Sequence, residues 1–257
     1  MNLKFLIVLL VFAITSSQAS FESQIIDFLE ELRMRMCHPI PNLGMPALDP
    51  FQIPEHHEIA VDNKYFVDFI GSIDDFFLHG LSDFKINDLN IYTVPLRRST
   101  INVTFPLTWF QTLYSAKGSL AYIVNLAGDG NAEASITDFT FSFSWILKSG
   151  IHLGIRGLQI EMYLGGLNVD FQNLLEEERI NEFIHALINE LGVELLDDIW
   201  TYEQDVVVAW VETRINNFIG QYTLADIIKI IAGGGGEGGE SKPIFDGVEP
   251  DCKLSED

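Results

Sequence analysis

The chain has 257 residues, of which 37 are acidic and 15 are basic, so its formal charge is −22 at pH 7. A surface this negative repels nucleic-acid backbones and anionic lipid headgroups, which argues against nucleic-acid binding and against stable membrane insertion. Because 47% of the residues are hydrophobic and 19 are Phe, the composition predicts a folded chain with a large apolar interior and not a disordered one.

The first 19 residues have the pattern of a secretory signal peptide. Lys4 precedes an apolar run over residues 5–14, and Ser17 and Ala19 supply small residues at a cleavage position. The run is shorter than the roughly 20 apolar residues that a membrane-spanning helix needs. The sequence therefore predicts a secreted, extracellular protein that begins near Ser20.

An amphipathic helix is predicted at the start of the mature chain, over residues 21–36. Its apolar side chains recur every three or four positions, with charged side chains between them. Five of the nine prolines follow, from Pro39 to Pro54. Since proline fixes its own φ and restricts the residue before it, residues 38–54 are predicted to form a stiff, non-helical connection.

Residues 84–171 alternate with a period of two, which predicts β-strands. The clearest strand is 139–145, where every odd position is aromatic and every even position is Ser or Thr. The run Gly128-Asp129-Gly130-Asn131 predicts a hairpin turn. The alternation changes phase at Gly157, which predicts a β-bulge that keeps the apolar side chains on one side.

Helical spacing returns near Leu174. One apolar stripe extends to Leu191, and a second long helix is predicted from Glu203 to Ile231. The glycine-rich run 233–239 follows a helix and lacks the strand-turn-helix setting of a phosphate-binding loop, so it is predicted to be a flexible linker.

The sequence contains no arrangement typical of an enzyme. The six histidines lie beside no serine or cysteine nucleophile signature. His56 and His57 are adjacent, and on an extended run they would point to opposite sides, unlike paired zinc ligands. The sequence therefore predicts no catalytic residues, no metal site and no cofactor.

Cys37 and Cys252 are the two cysteines of a chain that is predicted to be exported. A disulfide between them would restrict the unfolded chain by roughly 5 kcal/mol in the entropy model, while the alternative is two free or intermolecularly paired thiols. Asn102-Val103-Thr104 is a glycosylation triplet, and glycosylation of Asn102 requires its side chain to point outward.

The strongest remaining signal is the amount and pattern of apolar surface. An aromatic-faced sheet beside long helices with apolar stripes indicates an enclosed hydrophobic compartment. A fully packed core without a cavity is the alternative, because protein interiors are usually filled. Patterning alone leaves both interpretations open.

Four segments, in this order, resemble one protein family. They are IPNLGMPALDPFQI; GLSDFKINDLNI; VTFPLTWF with LYSAKGSLAYIVNLAGDGNAEASITDFTFSF; and FQNLLEEERINEFIHALINELGVELLDDI. They are similar to the proline element, the first long strand, the Phe-Pro strand with its hairpin, and the late helical segment of insect haemolymph juvenile hormone-binding and takeout proteins. Family members typically place two cysteines close together near the N-terminus, whereas here Cys37 alone lies there.

This resemblance implies an α+β fold of the tubular lipid-binding superfamily, to which mite group 7 allergens also belong. The expected architecture is an elongated, strongly curved antiparallel β-sheet wrapped around a long α-helix, with an N-terminal helix and C-terminal helices. The proline run would be a rigid crossing from the first helix into the sheet. The expected divisions are a signal peptide at 1–19, a lipid-binding domain at 20–232 and a Gly-rich, flexible, acidic tail at 233–257.

The resemblance also implies a secreted haemolymph carrier without enzymatic activity. Its tunnel between sheet and helix would hold an elongated hydrophobic ligand such as a terpenoid or a fatty-acid-like lipid, and an extracellular receptor is a further candidate partner. The alternative is an extracellular interaction or signalling protein with a collapsed tunnel, acting through its acidic surface or tail. From periodicity, the side chains expected to line the tunnel are Phe28, Leu32, Met36, Phe139, Phe141, Phe143, Leu187 and Leu191.

Overall fold

The computed structural model describes residues 21–63, 67–94, 96–120, 124–148, 150–175, 178–231 and 244–253. The predicted signal peptide lies outside these ranges. The described helices are α1 over residues 21–33, α2 (Glu178–Ile219) and α3 (Leu224–Ile231), with a 3-10 turn at Pro41–Leu43. The strands are β1 (Phe51–Ile53), β2 (His57–Asn63), β3 (Val67–His79), β4 (Lys85–Asn90), β5 (Arg98–Leu120), β6 (Val124–Leu147), β7 (Ile155–Tyr163) and β8 (Gly166–Phe171).

The eight strands form one antiparallel sheet built around the long β5–β6 pair. Its order is β1-β3-β5-β6-β7, with β2 also on β3, β4 on β5 and β8 on β6. β5 and β6 have 23 and 24 residues, so each is roughly 75 Å long at about 3.3 Å per residue. Their pairing keeps one register from Arg98↔Ile146 to Leu120↔Val124. The predicted α+β fold is confirmed.

The sheet curves at irregular positions within its longest strands. The buried side of β5 changes at Pro106. On the N-terminal side of this proline Ser99, at an odd position, is buried, and on its C-terminal side Thr108, at an even position, is buried. The β6 residue opposite Pro106 is Asp138, which has a φ of +49°. Proline has no backbone N–H and therefore does not donate a hydrogen bond to the neighbouring strand. A residue in the left-handed conformation bends the strand that contains it. Asp75 in β3 also has a φ of +49°, beside a shift in register.

The helix α2 is continuous over 42 residues, where the sequence predicts two helices. The expected break around residues 192–202 contains no proline, and a glycine inside a helix costs only about 1 kcal/mol relative to alanine. Gly192 is buried where α2 crosses β8, and a Cβ at this position would collide with the Leu167 side chain. Close approach to the sheet therefore explains this glycine, and the helix ends at Gly220 instead.

The sheet winds around α2, as expected for this architecture. Ile184 and Ile188 pack against Tyr114 and Ala132 near one end of the helix. Near the other end, Ile215 packs into a second cluster built on β7. At about 100° per residue, Ile184 and Ile215 point about 140° apart around the helix axis. The contact face of α2 thus rotates along its length.

Two glycine predictions have opposite outcomes. The run 128–131 is not a turn, because it lies within β6 and pairs with β5. A Cβ on Gly128 would overlap the Asn173 carbonyl, so this glycine permits close backbone approach and does not form a hairpin. The bulge at Gly157 is confirmed, since its φ is +61° and the β6–β7 register shifts between Ser144 and Ile146.

Residues 38–50 connect α1 to β1 as a braced crossing. The Met36 carbonyl accepts the Asp49 N–H at 3.0 Å. The Asp49 carboxylate accepts the N–H groups of Gly80 at 3.1 Å and Ser82 at 2.7 Å, together with the Ser82 hydroxyl. Asp49 therefore ties the crossing both to the end of α1 and to the loop after β3.

Residues 244–253, which the sequence assigns to a flexible tail, pack against α1 and are called the C-terminal strap below. The Phe245 ring stacks on Phe28 with centroids 5.5 Å apart. Cys252 is joined to Cys37 by the expected disulfide. Ile244 and Phe245 are apolar residues within a polar segment, and they hold the strap against the rest of the protein. The average composition of the tail does not indicate this contact.

Candidate functional site

Polar side chains of α2 hold the helix on the exposed edge of β8. The Asn189 Oδ1 accepts the Val169 N–H at 2.7 Å, and its Nδ2 donates to the Val169 carbonyl at 3.3 Å. The His185 Nε2 accepts the Phe171 N–H at 2.8 Å, while its Nδ1 lies 2.9 Å from the Asn181 carbonyl. Backbone groups on an edge strand need such partners. These side chains occupy the place of a neighbouring strand.

The same device recurs at β7, near the other end of α2. The Asn216 Oδ1 accepts the Ile155 N–H at 2.7 Å, and its Nδ2 donates to the Ile155 carbonyl at 3.0 Å. The Glu212 carboxylate accepts the Leu158 N–H at 2.9 Å. Hydrogen bonds at two distant points thus fix α2 to the sheet edge.

Because these bonds anchor α2, its apolar side chains do not all have to interlock with the sheet. Leu187 and Leu191, both predicted to contact ligand, are 36% and 45% exposed. Ile184 and Ile188, one turn apart on the neighbouring face, pack into the core instead. The helix therefore offers apolar surface that the sheet leaves uncovered.

A row of phenylalanines lies on the aromatic face of the sheet. Phe139 and Phe141 have ring centroids 4.1 Å apart, and Phe141 and Phe143 are 5.7 Å apart. Phe105 lies 6.0 Å from Phe141, and Phe84 lies 6.4 Å from Phe105. The structure thus brings the three predicted β6 side chains together and adds two others. Phe105 is the β5 partner of Phe139 in the ladder, a pairing that strand alternation without a known register does not identify.

The predicted residues of α1 have different surroundings. Phe28 contacts the C-terminal strap through Phe245, Met36 is buried and Leu32 is half-buried. The Arg33 guanidinium lies 4.4 Å from the centre of the Phe84 ring, which connects α1 to the phenylalanine row.

A polar face lies opposite the phenylalanine row. Asn102 alternates with the residues of β5 that pair with Phe141 and Phe143, so it belongs to the other side of the sheet. Its Nδ2 donates to the Ser142 hydroxyl at 2.6 Å, and its Oδ1 accepts from Asn87 at 2.5 Å. The side chain is half-buried among polar groups.

Tyr114 is a buried polar residue beside the N-terminal half of α2. Its hydroxyl donates to the Gln172 carbonyl at 2.7 Å. Burial, assisted by the negative charge of Asp129, raises the pKa of Tyr114 to about 12. The phenol is therefore a neutral structural donor at physiological pH, with no arrangement for acid–base chemistry.

Two clefts in the described part of the chain have polar or mixed linings. A cavity of about 600 Å³ lies between β8 and α2, lined by residues such as Asn168, Asp170, Asn181 and Glu182. Another of about 410 Å³ lies beside the disulfide and includes the stacked rings of His79 and Trp109, 3.8 Å apart. Apolar ligands favour surfaces without such polar groups, so the phenylalanine row and the uncovered apolar side chains of α2 are the better candidates for ligand contacts.

A set of potential metal ligands also surrounds the disulfide. Ligand atoms of Cys37, His38, Asp251 and Cys252 lie within 4.8 Å of one another. The two sulfur atoms are bonded to each other and are not thiolates, the form in which cysteine binds metals. The His38 Nε2 instead lies 2.5 Å from an oxygen of the Asp251 carboxylate, within hydrogen-bond distance.

Among the described ranges, no helix is both long and apolar enough to cross a lipid bilayer.

Comparison with solved structures shows a clear similarity in fold. Takeout 1 of Epiphyas postvittana superposes with a TM-score of 0.57 at 11% identity, covering 77% of this chain and 92% of that chain. A lipopolysaccharide binding protein matches with a TM-score of only 0.28 at 8% identity, covering 68% of this chain and 37% of that chain. No curated protein matches the sequence at a significant level.

The sequence itself carries a family signature. The family model of haemolymph juvenile hormone binding protein matches residues 11–229, which include the sheet, α1 and α2. The chain therefore belongs to the haemolymph juvenile hormone binding protein family.

Proposed function

We propose that this protein is a secreted, non-enzymatic carrier that holds an elongated hydrophobic ligand between its curved sheet and α2. The ligand class is a terpenoid or a fatty-acid-like lipid. Family membership and the Takeout 1 fold support a hydrophobic ligand. The proposal includes removal of residues 1–19 as a signal peptide.

One observation carries the proposal: α2 is fixed by side-chain hydrogen bonds at Asn189 and Asn216, while the apolar side chains of Leu187 and Leu191 on the same helix stay uncovered. A helix held only by interlocked apolar side chains would have to close every gap. Here hydrogen bonds hold the helix in place, so its apolar side chains are free to contact a ligand. A bound ligand can occupy apolar space without displacing α2.

The proposed lining consists of Phe139, Phe141 and Phe143 from the sheet, Leu187 and Leu191 from α2, and the apolar side of α1. A ligand that buries about 500 Å² of apolar surface gains about 12 kcal/mol at 25 cal/mol per Å². Association costs about 4 kcal/mol or more. The remaining free energy corresponds to micromolar affinity.

Lipid extraction and dye titration test the proposed function. Protein secreted from insect cells is extracted with organic solvent, and the extract is analysed by mass spectrometry. We expect one class of long apolar molecule, and a polarity-sensitive dye should bind the stripped protein until that lipid displaces it. A lipid-free extract together with no dye uptake would exclude the carrier function.

We further propose that Asn102 carries an N-linked glycan on the polar face of the sheet, since an attached sugar there would not meet the phenylalanine row. A glycosidase-sensitive mass shift that disappears in Asn102→Gln is expected. An unchanged mass after glycosidase treatment of the secreted protein would refute it.

A further inference from the structure

Charged side chains are distributed very unevenly in this chain. The β4–β5 loop and the β6–β7 loop lie at the same end of the sheet, because Arg98 pairs with Ile146 and Leu147 pairs with Ile155. The end of α2 joins them, since Asn216 bonds to Ile155 and the Leu153 N–H donates to the Tyr222 carbonyl at 2.8 Å. We call residues 91–94, 96–98, 148, 150–156 and 214–231 the tip.

The tip is cationic within a strongly acidic chain. It contains one acidic residue, Asp226, and the six basic residues Arg97, Arg98, Lys148, Arg156, Arg214 and Lys229, which gives a formal charge of +5. The rest of the chain has nine basic and 36 acidic residues, a formal charge of −27.

The acidic residues near the tip have hydrogen-bond partners of their own. Asp226 accepts the N–H and the hydroxyl of Thr223, both at 2.8 Å, which caps the start of α3. Glu22 of α1 accepts the Ile91 N–H at 2.9 Å from the neighbouring side. Glu212 of α2 also borders the tip and accepts the Leu158 N–H at 2.9 Å. With Glu22 and Glu212 included, the tip keeps a formal charge of +3.

Large apolar side chains project from the same loops. Leu96 and Ile151 are 81% and 82% exposed, the two highest values among the exposed large apolar side chains of the described residues. Phe218, near the end of α2, is 62% exposed. Exposed apolar side chains thus occur at the same end of the protein as the cations, a combination that marks a candidate interaction surface.

The helix α3 completes this surface. Its apolar residues Leu224, Ile227, Ile228 and Ile231 recur at helical spacing on one side, yet none of its residues is buried. Lys229 lies on the same short helix. Ile228 is exposed, and the other three apolar residues are half-buried. Amphipathic helices with a partly exposed apolar face and cationic neighbours are typical of membrane-surface segments.

We propose that the tip docks peripherally on membranes with anionic phospholipids, with the apolar loop residues entering at headgroup depth. The high net negative charge argues against membrane contact only if the charge is spread evenly. At physiological salt, charges more than about 8 Å apart are screened. Acidic groups tens of ångströms along the sheet therefore oppose docking of the tip only weakly.

This inference adds a partner to the proposed carrier function, because a carrier of apolar ligands has to collect or deliver them at a lipid surface. Vesicle binding itself needs no bound ligand. The two proposals can therefore fail separately.

Vesicle co-sedimentation of the full mature chain tests the proposal. We expect binding to phosphatidylcholine vesicles that contain phosphatidylserine, weak binding to phosphatidylcholine alone, and loss of binding at high salt. Each cation removed near the surface should lower the partition coefficient about fivefold. Lys148→Gln should therefore bind about fivefold more weakly, and Ile151→Ser should also reduce binding.

Ile70 and Lys117 provide matched controls. They pair across β3 and β5, roughly 60 Å along the strand from the tip, and Ile70 is 69% exposed. Ile70→Ser and Lys117→Gln should bind vesicles like the wild type, and all four variants should keep dye uptake in solution. Absence of wild-type binding to anionic vesicles, equal losses in controls and tip variants, or tip-dependent self-association without vesicle binding would overturn the proposal.

Discussion

Asn216 bonds to both backbone groups of Ile155, accepting its N–H at 2.7 Å and donating to its carbonyl at 3.0 Å. Replacing Asn216 by Leu would leave a buried N–H and a carbonyl on β7 without partners, which costs about 1–3 kcal/mol for each buried group. We expect Asn216→Leu to lower the free energy of unfolding by about 2 kcal/mol or more, measured by denaturant titration. The adjacent Asn217 is exposed, so Asn217→Leu is the control, and equal effects of the two variants would contradict the anchoring role.

Phe141 lies at the centre of the phenylalanine row, in contact with Phe139, Phe143 and Phe105. Phe141→Ala should weaken binding of an apolar dye by about tenfold to a hundredfold, because burial of a phenylalanine side chain is worth about 1.5–3 kcal/mol. Phe183 on α2 is 63% exposed, so Phe183→Ala provides the matched control. Unchanged dye affinity in a folded Phe141→Ala protein would remove the row from the binding site.

The disulfide between Cys37 and Cys252 closes a loop with a sequence separation of 215. In the entropy model, opening a loop of this length lowers stability by roughly 5 kcal/mol. The double variant Cys37→Ser/Cys252→Ser should therefore unfold at lower denaturant concentration. Reducing agent should lower the stability of the wild type to that of the variant and leave the variant unchanged. A reductant-insensitive wild type would contradict the predicted contribution.

The Tyr114 hydroxyl should lose its proton at a higher pH than an ordinary tyrosine does. Its folded-state pKa is about 12, above the ordinary value of 10.0. Because the folded state holds this proton more tightly, the contribution to stability is complete below pH 10 and is lost as the pH rises through 12. Absorbance titration of phenolate should contain a late component that disappears in Tyr114→Phe but remains in Tyr163→Phe, where the substituted residue is exposed. Loss of an early-ionising tyrosine in Tyr114→Phe would refute the assignment.

Much of the sheet could be predicted because its burial is periodic. The aromatic positions 139–145 lie on one side of β6, and the bulge at Gly157 follows directly from the change of phase. These features depend on neighbours in sequence. The pairing of Phe105 with Phe139 depends on register, which a single strand does not encode.

The wrong predictions share a physical cause. The sequence predicts a turn at Gly128 and the end of a helix near Leu191, yet Gly128 and Gly192 both allow close packing against a distant segment. It predicts no role for Asn189 and Asn216, which bond to the edges of β8 and β7. In each case a long-range contact decides the role of a residue that its local sequence classifies differently.

The segment that the sequence assigns to a flexible tail also makes a long-range contact, with α1. Ile244 is buried and Phe245 stacks on α1, although glycine-rich and acidic segments flank them. Removing residues 233–257 would therefore disturb α1 as well as the tail. A deletion confined to residues 254–257 is the cleaner test of whether charged terminal residues bind a partner.

Because Cys37 and Cys252 are covalently joined, the intervening polypeptide forms a ring that contains the whole sheet and α2. A protease that nicks the backbone once within this ring produces two fragments that cannot separate. The cut molecule would migrate as one species on a non-reducing gel and divide only after reduction. One cleavage of the backbone within this ring thus need not separate the sheet from α2.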